Sequence, residues 1–143
     1  MATDSQASSL KVMHHTEYLN DLIRNKLITP HQSELKTVFH NPCELGRGCG
    51  VYAAPDQVLQ TVSHKLATVY DGKNSLCCGG SLANIHIDPG QRTRISSDAV
   101  KAYLSYQPDL LVTACPLCKK TFMKTDTAVP IKDIAEVVAE NCR

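Results

Sequence analysis

The 143-residue chain has the commonest length of a single domain, enough to bury roughly 65–70% of the surface its unfolded form exposes, so it needs no metal or disulfide merely to reach a viable size. With 15 Lys and Arg against 14 Asp and Glu, a formal charge of +1, 5% aromatic residues and no Trp, nothing in the composition suggests a nucleic-acid groove or a membrane-surface patch. The unusual count is seven Cys, high for an ordinary intracellular domain, below a disulfide-scaffold composition, and odd, so that they cannot all pair within one chain.

Residues 1–9 contain no basic region followed by an apolar one and read as a short disordered tail rather than a signal peptide, leaving residues 10–143 as a single domain. No apolar run approaches the roughly 20 residues of a membrane span. The expected setting is cytoplasmic and thiol-reducing, where metal ligation or redox chemistry is the leading account of the cysteines.

Taken in chain order, Val12, His15, Leu19, Leu22, Ile23 and Leu27 recur at three- and four-residue steps. This spacing predicts an amphipathic helix over 10–27, with Ser8 or Ser9 as N-cap and Thr29-Pro30 as a stop. Lys36 to His40 reads as a strand ended by Asn41-Pro42, so Cys43 sits just past its carboxyl end. A Gly-rich turn over Gly46 to Gly50 leads to a helix near 55–65, with Pro55 at a first helical position and Val58, Leu59 and Val62 as its apolar stripe. Leu66 to Tyr70 suggests a second strand closed by Asp71-Gly72, and Cys77-Cys78-Gly79-Gly80 follows on a loop. Residues 81–90 read as loop or short helix. Ile95, Ala99, Ala102, Tyr103 and Tyr106 then line a helix ending before Pro108. Leu110 to Ala114 is a buried strand delivering Cys115-Pro116-Leu117-Cys118, and Lys119 to Lys124 gives a helical turn or two. A last strand over Val129 to Lys132 and a closing helix from near Asp133 complete the alternation. The expected fold is α/β, a three-layer domain with a mostly parallel sheet and helices on both faces. In such sheets sites form beyond the strands' carboxyl ends, and all three cysteine groups fall on loops of that kind.

The constellation is Cys43, 33 residues, Cys77-Cys78, 36 residues, then Cys115-x-x-Cys118. Two thiolates three apart on a turn can clamp one iron or zinc, and Pro116 stiffens that turn. Adjacent cysteines cannot both reach one small tetrahedral ion without strain, yet can reach two irons of a cluster. Gly79 and Gly80 would let backbone approach an inorganic core and leave amide donors for its sulfides. Five thiols exceed the four positions of a zinc ion.

Cys43, Cys77-Cys78-Gly79 and Cys115-Pro116-Leu117-Cys118, with His40-x-Pro42-Cys43 ahead of them, resemble the cysteine-rich CCG domain found in the B and D subunits of heterodisulfide reductases and in glycolate and lactate oxidase iron-sulfur subunits. The resemblance covers roughly residues 10–140. It implies a four-iron-four-sulfur cluster, noncubane in the reductase members, held by Cys43, Cys77, Cys78, Cys115 and Cys118. It also implies electron transfer within an anaerobic oxidoreductase, beside flavoprotein or ferredoxin-type iron-sulfur partners that would supply any membrane association. Family chains usually carry two such motifs, often with a ferredoxin segment; this chain has one, resembling the second half, preceded by the family's Val12-x-His14-x-x-Glu17-x-Leu19 helix. A domain or small subunit is therefore expected rather than a complete enzyme. The family's Asp between His and Pro is Asn41 here, which removes a carboxylate near the site.

Two other functions compete. A zinc-binding structural module would use Cys115, Cys118 and two of Cys43, Cys77 and Cys78. A metal-free thiol–disulfide exchanger would use Cys115 and Cys118 at a helix start, leaving the vicinal pair unexplained. Cys49 and Cys142 lie outside the pattern as free thiols. His40 is expected to pack beside the site rather than ligate, His14 and His15 to lie on a helix surface and its edge, and Arg47 to offset an anionic cluster or sit on a solvated loop. Gly46-x-Gly48 is too partial for a dinucleotide fingerprint, since Val51 takes the third glycine position.

Overall fold

The computed structural model describes residues 11–81 and 84–142, so the predicted tail, with Ser8 and Ser9, lies outside the described residues. Four strands, β1 (Lys36–His40), β2 (His64–Lys65), β3 (Leu110–Thr113) and β4 (Ile131–Asp133), form one sheet in the order β2-β1-β3-β4. Every pairing is parallel, with Val38 beside Leu111, His40 beside Thr113 and Thr113 beside Asp133. Five α-helices surround it: α1 (His15–Arg24), α2 (Ala53–Val62), α3 (Pro89–Leu104), α4 (Pro116–Phe122) and α5 (Ile134–Asn141).

The near-continuous apolar run of β3 is what a strand buried on both faces requires, and alternate residues feed two cores. Phe39, Leu110 and Val112 pack with Val58, Leu59, Val62, Ile134, Val137 and Val138, against which Leu19 and Ile23 also rest. Val38 and Leu111 instead pack with Ala99, Val100, Tyr103 and Phe122. Helices α1, α2 and α5 thus cover one face and α3 and α4 the other, giving the expected three layers.

Three expectations are corrected. Helix α1 is shorter than 10–27, because His14 caps its start in a capping box with Glu17 and Lys26 leaves the helix at φ +57°. The stripe consequently loses its ends, and Val12 and Leu27 are exposed. The second strand is His64–Lys65 rather than Leu66 to Tyr70. Its continuation is broken where the Asp71 carboxylate accepts bonds from Lys65 Nζ at 2.8 Å and from the Thr68 hydroxyl at 3.0 Å, curling 65–71 into a turn. Helix α3 begins at Pro89, with Asp88 as N-cap, inside the segment read as loop or short helix.

Candidate metal centre

Because β1 connects to β2 on one side while β3 lies on its other side, the strand order reverses between β1 and β3. A crevice opens at such a point beyond the carboxyl ends of the strands. Cys43 follows β1 at the head of a π-helical turn, Glu44–Gly48, and Cys115 follows β3 as the N-cap residue of α4. Cys77 and Cys78 come from the long segment between β2 and α3.

The thiols divide by depth. Cys78 and Cys118 are buried within the α3–α4 core, whereas Cys43, Cys77 and Cys115 are half-buried. The side chain of Cys118, in the first turn of α4, interacts with those of Cys78 and Cys115. Those two contacts, with burial, push the Cys118 thiol far up. The same Cys118 contact, helped by His40 and the Gly80 amide against burial, holds Cys78 well below its ordinary value. Cys115 comes down to about 6 through Cys118 and the amides of Cys118 and Leu117, again against burial. Burial, together with Glu44 and Cys77, pushes Cys43 up. The site is therefore a protonated thiol flanked by two thiolate-prone ones, with Cys43 beside Cys77 and Cys78 at its rim.

Nearby donors point at the sulfurs. Gly79 N–H donates to Cys77 Sγ at 3.3 Å, Gly80 N–H to Cys78 Sγ at 3.4 Å, and Asn84 Nδ2 to Cys77 Sγ at 3.3 Å. Arg47 ties the Cys43 turn to the Cys77 segment, its Nη1 donating to Ser75 O at 2.7 Å and Lys73 O at 3.2 Å. That guanidinium is a structural bolt rather than a free loop cation. Thiolates with N–H donors and little competing oxygen suit a soft, sulfur-bound metal, so the donor set fits an iron–sulfur centre.

His40 is 1% exposed, packed edge-on against Phe122 and Tyr103. One of its ring nitrogens and the Cys78 and Cys118 sulfurs lie within 4.8 Å of one another. Burial lowers its proton affinity against the pull of Cys78. Sequence reasoning missed the groups behind it: Tyr103, read only as an apolar helix position, places its hydroxyl 3.3 Å from His40 Nδ1 and 3.2 Å from Ser75 Oγ. Of the other cysteines, Cys142 is exposed at the end of α5. Cys49, also exposed, lines a largely apolar groove of about 620 Å³ with His14, Pro42, Leu45, Cys115 and Pro116, which leads to the rim of the site.

The profile of the CCG family, described as a cysteine-rich domain, matches residues 37–123. The chain is 34% identical over 142 residues to the D subunit of the dihydromethanophenazine:CoB–CoM heterodisulfide reductase of Methanosarcina mazei, covering 91% of this chain and 34% of that protein. It is 31% identical over 142 residues to a probable membrane-anchored ferredoxin of Chromohalobacter salexigens, covering 94% and 21%. With the EtfAB:quinone oxidoreductase of Syntrophomonas wolfei the identity is 27% over 143 residues, covering 90% and 20%. The chain thus spans about a third or less of the length of these curated relatives. Among the described residues no helix is long and apolar enough to cross a membrane.

Proposed function

Since the chain belongs to the CCG cysteine-rich domain family, we propose that it is an iron–sulfur electron-transfer domain of a larger oxidoreductase, with Cys43, Cys77, Cys78, Cys115 and Cys118 as ligands of a four-iron-four-sulfur cluster. The observation that carries this reading is the meeting of all three cysteine loops at one reversal of strand order, with amide donors aimed at the sulfurs. Relatives named as part of a heterodisulfide reductase, as a ferredoxin and as a quinone oxidoreductase support it. When bound, such a cluster supplies one-electron redox chemistry.

The chain's own residues set the conditions for that chemistry. The Gly79, Gly80 and Asn84 N–H groups offset negative charge on Cys77 and Cys78, a lever on reduction potential. Phe122 and Tyr103, each fully buried, close the deep side to water. Arg47 fixes the spacing of two ligand loops. The apolar groove beside Cys115 offers the approach for a substrate or for a partner's electron carrier, and a flavoprotein or ferredoxin-type protein is the partner class proposed. A cytoplasmic setting belongs to the same proposal.

Anaerobic purification followed by iron and sulfide analysis tests it. Brown protein with about four iron and four sulfide per chain is expected, falling on Cys→Ser substitution at any of the five positions. Colourless protein that retains no iron after anaerobic reconstitution would overturn the reading.

A further inference from the structure

A second cavity, of about 260 Å³, lies between the first turns of α3 and the end of α4. It is lined by two cationic side chains, Arg92 and Lys124, and by no acidic one. Among the described residues no carboxylate pairs with either cation. Arg92 Nε donates to Gly79 O at 3.1 Å, which anchors the guanidinium and leaves its two Nη groups for a ligand. The amides at the start of α3 take no part, since the Asp88 carboxylate accepts from Gly90 N–H at 2.8 Å and Gln91 N–H at 3.3 Å. Any anion held here is therefore held by side chains.

The hydroxyls of the same cavity narrow the ligand. Thr93 donates to Pro89 O at 3.0 Å, Thr121 to Leu117 O at 2.7 Å and Thr125 to Phe122 O at 2.6 Å. Each spends its only hydrogen on its own helix turn and keeps lone pairs that can accept. The lining thus offers two positive charges together with acceptor oxygens. That combination suits a dianion that also has O–H groups to donate, and an Arg fork matches a phosphate better than it does a spherical anion. The volume falls below the roughly 300–1,000 Å³ of pockets for drug-sized ligands, so the compound is small.

We propose that this cavity is a binding site for a small phosphate dianion carrying hydroxyl hydrogens, with Arg92 and Lys124 on its oxygens and Thr93, Thr121 and Thr125 accepting from its hydroxyls. Inorganic hydrogenphosphate and a monoester of a small polyol share this chemistry. The site lies apart from the five thiols and does not rest on the cluster reading.

Equilibrium dialysis of the full chain against radiolabelled phosphate at pH 7, in chloride of fixed ionic strength, tests it. One equivalent should bind saturably. Glycerol 3-phosphate should displace it, and the tighter of the two identifies the ion or the ester as the better ligand. Sulfate, dianionic but with no hydrogen to give, should compete at least about tenfold less well. Lys124→Gln and Arg92→Gln should each weaken binding at least about tenfold, whereas Arg94→Gln, exposed on α3 outside the cavity, should not. Lys124 is exposed, so its substitution keeps the test open should Arg92→Gln fail to fold. No saturable binding, unchanged affinity in Lys124→Gln, or sulfate competing as well as phosphate would overturn the proposal. Dialysis needs neither iron nor sulfide, so its outcome is independent of whether the chain assembles a cluster.

Discussion

Gly79 shows how narrowly single residues are specified around the site. Its φ of +77° is one L side chains rarely adopt, and a Cβ there would come 2.6 Å from the Arg92 carbonyl oxygen of α3. Gly79→Ala should cost about 1–3 kcal/mol in urea unfolding and reduce the iron retained after reconstitution. Gly50→Ala, at φ +71° with open space around it, should cost about 1–2 kcal/mol and leave iron content unchanged. The sequence suggests that the paired glycines make room for an inorganic core; in the structure they let the loop pass against α3 and α4, Gly80 crossing Thr121. The cysteines are legible because five thiols in fixed spacing have few other uses. The polar chain behind His40 is not, since Tyr103 lies 63 residues from His40 and 28 from Ser75, and no local pattern links hydroxyls at such separations.

Among the elements, β1, β3 and α5 can be read from sequence nearly to their ends, because burial on both faces and a capping Asp leave plain marks. Strand β2 is misplaced by the same reading because Leu66 to Tyr70 has strand composition, while the decisive bonds belong to the side chain of Asp71. The start of α5 carries a pH dependence. Asp133 Oδ1 accepts from Ala135 N–H at 2.9 Å and lies 3.4 Å from His15 Nε2. Burial opposes the charge of Asp133, but the His15 contact and that amide outweigh it, so its carboxyl sits below the usual value. A carboxyl lowered on folding stabilises the fold above the ordinary range near ~3.9, and this contribution is lost as pH falls through the lowered value. Asp133→Asn, which keeps an accepting oxygen, should flatten the acid limb of urea stability measured from about pH 6 down to about pH 3, whereas Asp133→Ala should also lose about 1 kcal/mol at neutral pH. Helix α4 acts as a ruler: inserting one Ala between Leu117 and Cys118 turns Cys118 by about 100° around the helix, away from Cys78. Iron assembly should fail in that variant while circular dichroism remains α/β.

On the scale of the whole molecule, the alternation of strands and helices reveals the layers, but not the order of strands, which depends on pairings between distant segments. In that order the central contact is β1 with β3, anchored where Asp109 N–H meets Lys36 O at 2.8 Å and Lys36 N–H meets the Asp109 carboxylate across 73 residues of chain. Parallel pairing over such a separation is slow to form, because the loop must close before its contacts repay the lost entropy. The cysteine loops hang from the ends of these two strands and cannot converge earlier. Metal capture should accordingly follow the rate-limiting step rather than nucleate it. The cluster-loaded chain should unfold in urea more slowly than the metal-free chain, while stopped-flow refolding of the reduced chain should run at the same rate with or without iron(II) and sulfide. Maturation then has an order written into the topology: the scaffold closes first, and the metal afterwards locks the door from the inside.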